Sequence, residues 1–222
     1  WTQAGAVWSA ACDDLKGDPD AASTKYRSVA EASFDTPLKA YALTALGERQ
    51  ARQGQYGPAL KTMDRAVSEA HRHDLDDAAA AAALSRGHLL YRLRQYRDAA
   101  EAYEAFAGAY PRDPNRTMAL FQRALALKWA GDRRGAVQGF ESLVARFPDT
   151  VYAPDARLQL GLIYDETGQS QRAVENYRKM SEGGLQNRRE SLLLEAQLHY
   201  NRKKYAAAIP LHWKFLEEFP ND

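Results

Sequence analysis

The chain has 222 residues, 30 basic against 29 acidic, a net charge of +1 and 45% hydrophobic residues, the composition of a folded polypeptide that faces water. Balanced charge argues against nucleic acid as the main ligand, because phosphate binding draws on a surplus of Lys and Arg on one face. No run of about 18 apolar residues is present to span a membrane, and a single cysteine, Cys12, excludes an internal disulfide and a thiolate zinc site.

A short grammar recurs along the chain. Ala22 stands four residues before Tyr26, Ala59 before Met63, Ala99 before Tyr103, Ala136 before Phe140, Ala173 before Tyr177 and Ala208 before His212, at spacings of 37, 40, 37, 37 and 35 residues. A fixed period of this size is the mark of a repeat architecture, in which each unit is one supersecondary element. Six units follow, at approximately 1–35, 36–75, 76–114, 115–152, 153–187 and 188–222.

The first unit is the weakest, with Pro19 where most later units place Tyr or Ser. The second carries Leu46-Gly47, Gly54 and Tyr56 ahead of its alanine. In the third, Tyr96 precedes Ala99 and Tyr110-Pro111 closes the unit. The fourth has Gly131 and ends at Phe147-Pro148. In the fifth, Pro154 opens the unit, Leu160-Gly161 repeats the earlier pair, and Gly168 precedes Ser170. The sixth has Tyr205 and ends at Phe219-Pro220.

Each unit reads as two helices, with apolar residues at i, i+4, i+7 and i+8 as in Ala136, Phe140, Leu143 and Val144. Small residues on facing positions let the two helices approach closely. Gly54, Gly131 and Gly168 permit the backbone turn that ends one helix and begins the next. Pro111, Pro148 and Pro220 stop the second helix by removing an amide donor. Pro114 and Pro154 fit near a helix start, where that donor is dispensable.

With these residues in view, the chain resembles the tetratricopeptide repeat family. "LTALGERQARQGQYGPALKTMDRA" (43–66) and "RLQLGLIYDETGQSQRAVENYRKM" (157–180) are close matches, and the likeness covers nearly the whole chain. The units are longer than the family's usual ~34 residues. Their aromatic–Pro junctions look like those of bacterial cell-envelope members, such as outer-membrane assembly lipoproteins and the Tol–Pal coordinator type. The resemblance implies an all-α, right-handed superhelical solenoid of about six antiparallel helix pairs, and a periplasmic or envelope setting. The first residue is Trp rather than Met, so a processed or excised form is expected. No segment follows Phe219-Pro220 to cover the last pair, so either the native chain continues or a partner caps it.

The same resemblance implies that the first helix of each unit lines a groove. Transferred position by position, the groove holds Tyr41, Thr44, Glu48 and Arg52, then Leu84, His88, Tyr91 and Arg92. Phe121, Leu125, Lys128 and Trp129 come next, followed by Leu158, Leu162, Asp165 and Glu166, and finally Leu193, Gln197, Tyr200 and Asn201. An apolar and aromatic middle with a charged margin suits an amphipathic helix or an extended peptide with bulky anchors. Tyr91, Phe121 and Trp129 have an equal claim to pack between units. Chaperone-binding relatives hold a terminal carboxylate with Lys and Asn at set positions. Here Thr44, Leu84, Phe121, Leu158 and Leu193 stand at the first kind of position. Glu48, His88, Leu125, Leu162 and Gln197 stand at the second, so that clamp is missing.

No catalytic signature is present: Gly-x-Ser-x-Gly, a phosphate loop and His-Glu-x-x-His are all absent. His71-Arg72-His73 with Asp74, Asp76 and Asp77 is the one cluster of metal-like composition. It reads as a solvated polar turn, because two histidines and scattered carboxylates give no fixed geometry. The expectation is therefore a non-catalytic scaffold without metal or cofactor, binding a protein or peptide. Two rivals are a superhelical accessory region of a larger enzyme, such as a lytic transglycosylase, and a module that self-associates through uncapped repeat ends.

Overall fold

The computed structural model describes residues 2–16, 18–33 and 35–221. Among these residues twelve α-helices follow one another and no strand occurs. They are α1 (Thr2–Lys16), α2 (Pro19–Ala30), α3 (Leu38–Arg52), α4 (Tyr56–Arg72), α5 (Asp76–Arg92), α6 (Tyr96–Ala109), α7 (Arg116–Trp129), α8 (Arg133–Arg146), α9 (Ala153–Glu166), α10 (Ser170–Met180), α11 (Leu185–Asn201) and α12 (Tyr205–Glu218). The protein is thus an all-α repeat of helix pairs. Contacts gather into two compact units, Trp1–Ala119 and Leu120–Asp222, with the division inside α7. In the first, α1 packs on α2, α2 on α3, α3 on α4, α4 on α5 and α5 on α6; in the second, α8 to α12 pack in the same serial way.

Close helix approach rests on the marker alanines. Ala22, Ala59, Ala99, Ala136 and Ala173 are fully buried, and Ala208 is 2% exposed. Four residues on, Tyr26, Met63, Tyr103, Phe140 and Tyr177 are also buried. The side chain of His212, in the last pair, is exposed instead. Glycines on the facing helix explain how so large a residue fits. A Cβ on Gly87 would lie 2.8 Å from the Tyr103 ring, and one on Gly47 would lie 2.9 Å from Met63. A methyl group at Gly87 would press on a buried ring and one at Gly47 on the flexible end of Met63, so in each place the partner side chain occupies the space that glycine leaves.

One turn design serves six helix junctions. The helix ends in a residue with left-handed backbone, and the next amide donates to a carbonyl five residues back: Gln55 to Gln50, Leu75 to Ala70, Gln95 to Leu90, Asp132 to Leu127, Gln169 to Tyr164 and Lys204 to His199, at 2.8–3.0 Å. This closure satisfies carbonyls that a helix end otherwise leaves orphaned. Gly54, Gly131 and Gly168 take the left-handed slot at φ 77°, 83° and 79°, as expected from the sequence. Asp74, Arg94 and Lys203 take it without glycine, at φ 53°, 60° and 57°. Such a conformation costs an L side chain about 1–2 kcal/mol. Arg94→Gly should therefore raise stability by about 0.5–1 kcal/mol after the added freedom of the unfolded chain is subtracted. Chemical denaturation checks this, and a midpoint no higher than the parent's would show that the Arg94 side chain makes up for its own strain.

The aromatic–proline endings act as the sequence suggests. Tyr110, Phe147 and Phe219 cap α6, α8 and α12 outside the helical region (ψ 66°, 60° and 64°), in keeping with the bias of a following proline against helical backbone. Pro154 falls in the first turn of α9 and Pro19 is the first residue of α2, where Asp18 accepts the Ala21 amide at 3.1 Å. Pro19 in the weak first unit is thus a helix starter.

A polar slot, five residues after the marker alanine, links successive pairs. Asp64 on α4 accepts from Arg86 on α5 at 2.7 Å, and Glu141 on α8 accepts from the Tyr164 hydroxyl on α9 at 2.6 Å. Arg178 on α10 grips Glu195 on α11 through Nε and Nη2, the shortest contact being 2.5 Å. Burial and the Glu141 bond push the Tyr164 phenol up to about 12, so it stays a donor at neutral pH.

Candidate functional site

In the first unit the exposed sides of α3 and α5 meet over a shallow cavity of about 310 Å³. Glu48, Arg52, His88 and Arg92 stand around it, and Met63 and Leu89 form its apolar floor. Their placement follows from helical spacing: residues four apart on one helix share a face, so Glu48 and Arg52 line up on α3 and His88 and Arg92 on α5. Arg92 donates to the Tyr56 hydroxyl at 3.2 Å and lies over that ring at 5.8 Å. Tyr91, half-buried, meets Tyr96 edge-on at 5.3 Å. The His88 ring tilts against Tyr103 at 5.7 Å. Burial of the ring, together with the Arg92 charge, lowers its pKa from the usual histidine value, so His88 is neutral at pH 7. The cavity thus joins two permanent cations, one carboxylate and an apolar base.

In the second unit Phe121 needs a correction. It is only 8% exposed, lies between Phe140 (5.7 Å) and Tyr152 (5.6 Å, stacked), and belongs to the core rather than to an open face. Leu125 and Leu158 are half-buried and rest against that same core. Lys128 donates to Gln159 on α9 at 2.8 Å, so its charge is spent partly on joining two helices. Trp129 is 60% exposed and Tyr200 is 55% exposed, the latter edge-on to Tyr205 at 5.4 Å. Leu162 is half-buried. Asp165, expected on a charged margin, holds Arg202, the residue that caps α11, through its carbonyl and its carboxylate, each at 3.0 Å. Gln197 donates to Asn201 at 2.7 Å and is open to solvent.

The proposed lining residues therefore divide between the two compact units: Tyr41, Thr44, Glu48, Arg52, Leu84, His88, Tyr91 and Arg92 in one, the remaining twelve in the other. A larger cavity, of about 650 Å³, sits away from these faces at the α8–α9 junction, where Thr150, Arg157, Lys179 and Asn187 line it. It has no motif; residues from three separate stretches assemble it. The inter-pair slot was equally hidden, since Asp64, Glu141 and Arg178 share a position but not a charge. Only the pairwise geometry reveals their common role.

A protein-family model described as outer membrane lipoprotein (YfiO) matches residues 38–182, well over half of the chain. No curated protein matches the sequence with significance. Among solved structures, a tetratricopeptide repeat protein from Parabacteroides merdae superposes with a TM-score of 0.69 at 20% identity, over 97% of this chain and 79% of that one. PilF of Pseudomonas aeruginosa gives 0.65 at 17% identity, over 99% and 93% of the two chains. MamA (41-end) from Desulfovibrio magneticus gives 0.64 at 19%, over 81% and 93%. Likeness at such identities is likeness of fold: an all-α, tetratricopeptide-type solenoid.

Proposed function

Because the chain belongs to the YfiO outer membrane lipoprotein family, we propose that it is a non-catalytic scaffold that holds partner polypeptides against the open faces of its first helices, within a bacterial envelope complex. The observation that carries this reading is the surplus of exposed aromatic surface on those helices: Tyr41 at 46%, Trp129 at 60% and Tyr200 at 55% exposed. The core is complete without them, and large aromatic side chains contribute most to binding when a partner covers them. A partner laying down an amphipathic helix or an extended segment would bury Trp129 and Tyr200 together with Leu162 in the one compact unit, or Tyr41 together with the charges of Arg52 and Arg92 in the other. A standard contact of this kind covers about 800 Å² per partner. The family setting supports the envelope as the place where this happens.

Affinity capture with the full chain, alongside circular dichroism, tests the reading. Leu162→Asp places a charge on a half-buried apolar position, and Trp129→Ser removes an exposed anchor. Both are expected to lose captured partners at least about tenfold, the equivalent of a hot-spot loss, while helicity stays at the parent's level. Leu125→Asp should lower stability as well, because Leu125 leans on the core. Retention of every partner by the Leu162→Asp and Trp129→Ser proteins would overturn the assignment of this face.

A further inference from the structure

Among the described residues one group of metal-ligating side chains comes together, and it lies apart from the faces above: Asp35, Glu69 and His73. Their ligand atoms all fall within 4.8 Å of one another. Glu69 stands in the last turn of α4 and His73, four residues on, caps that helix, so the two lie on the same side of its end. Asp35 comes from the α2–α3 junction, and its Oδ1 lies 3.0 Å from His73 Nε2. The histidine and the glutamate are sheltered, with side chains 16% and 18% exposed, whereas Asp35 is 63% exposed. The rest of the metal-like sequence cluster does not take part: His71 turns to the Tyr110 hydroxyl at 3.2 Å, and Asp74 occupies the left-handed turn position.

We propose that Asp35, Glu69 and His73 form a site for a divalent transition-metal ion of the zinc or cobalt class. A tetrahedral ion bound at about 2.0–2.2 Å to nitrogen and oxygen holds neighbouring ligand atoms about 3.4 Å apart, so the three ligand atoms, which already lie within 4.8 Å of one another, need only small side-chain adjustments to meet one ion. One imidazole with two carboxylates suits borderline ions, which bind nitrogen and oxygen together, better than magnesium or calcium, which prefer oxygen alone. Three protein ligands leave a coordination position for water. The competing occupant is Arg72. Its guanidinium lies 3.3 Å from Glu69 and 3.9 Å from Asp35, and its side chain is 58% exposed. Exposed pairs of this kind contribute little, so a dication displaces the arginine at small cost and ties the α2–α3 junction to the end of α4.

Metal-free full-length protein titrated with zinc chloride in a calorimeter, and with cobalt chloride followed by visible absorption, tests the proposal. The expected result is one saturable ion per chain, a rise in melting temperature, and a cobalt spectrum of nitrogen–oxygen ligation. His73→Ala and Glu69→Gln should weaken binding about tenfold or more, the scale on which metal sites respond to altered ligand shells. Arg72→Ala should bind as well as the parent or better. Asp35→Asn, in an exposed junction, gives a ligand change that leaves the helix untouched. Absence of saturation up to millimolar zinc overturns the proposal, and so does stoichiometric binding that survives unchanged in His73→Ala and Asp35→Asn.

Discussion

Ala173→Trp is expected to abolish the cooperative thermal transition, or to lower stability by at least about 3 kcal/mol. Ala173 is fully buried on α10, in the cluster that also holds Leu160, Ile163 and Tyr177. Across from it, a Cβ on Gly161 would fall inside the contact distance of the Tyr177 ring. Space between α9 and α10 is therefore used up by the tyrosine, and an indole has nowhere to go without separating the helices. The same geometry sets a graded test. Gly161→Ala meets a flat, buried ring and should cost about 1–3 kcal/mol. Gly47→Ala meets the flexible end of Met63, which can rotate away, and should cost less. Denaturant midpoints rank the three variants. If Ala173→Trp unfolds like the parent, the pairing register of α9 with α10 is wrong.

What could be read in the sequence was whatever repeats with the same residue type. Alanine at positions 22, 59, 99, 136, 173 and 208 announces close helix packing because no larger side chain fits, and all six are buried. Proline after Tyr110, Phe147 and Phe219 announces a helix end because its ring forbids continuation. Glycine marks only half of the left-handed turns; the closing hydrogen bond fixes the conformation, and Asp74, Arg94 and Lys203 adopt it at an energetic cost that sequence does not show. Groove positions transfer less well. Phe121 sits where a ligand-facing residue was expected, yet Phe140 and Tyr152 enclose it, because an aromatic side chain beside an incomplete core gains more by burial than by exposure. Contacts between distant positions, such as Asp35 with His73 and Arg178 with Glu195, leave no local trace.

Arg178→Ala is expected to destabilise the protein by about 3 kcal/mol, the low end for breaking a buried charge pair, since Arg178 itself is largely in solvent. Glu195 is 3% exposed on α11 and receives three hydrogen-bond contacts from the Arg178 guanidinium, at 3.0, 3.2 and 2.5 Å. The other polar neighbour, the His199 imidazole, is 3.8 Å away and cannot replace a forked guanidinium. Truncating Arg178 leaves a carboxylate in the interface between two helix pairs with its main partner gone. Asp64→Ala removes the residue at the same slot of the second pair, where both partners are solvent-exposed, and should cost less than about 1 kcal/mol. The decisive comparison is the double variant Arg178→Met with Glu195→Met. Replacing both charges by apolar groups of similar length should recover most of the loss, because the cost comes from an unpaired buried charge and not from missing contact area. A double variant no more stable than Arg178→Ala alone would show instead that the forked geometry holds α10 and α11 in register, and that methionine cannot substitute for it.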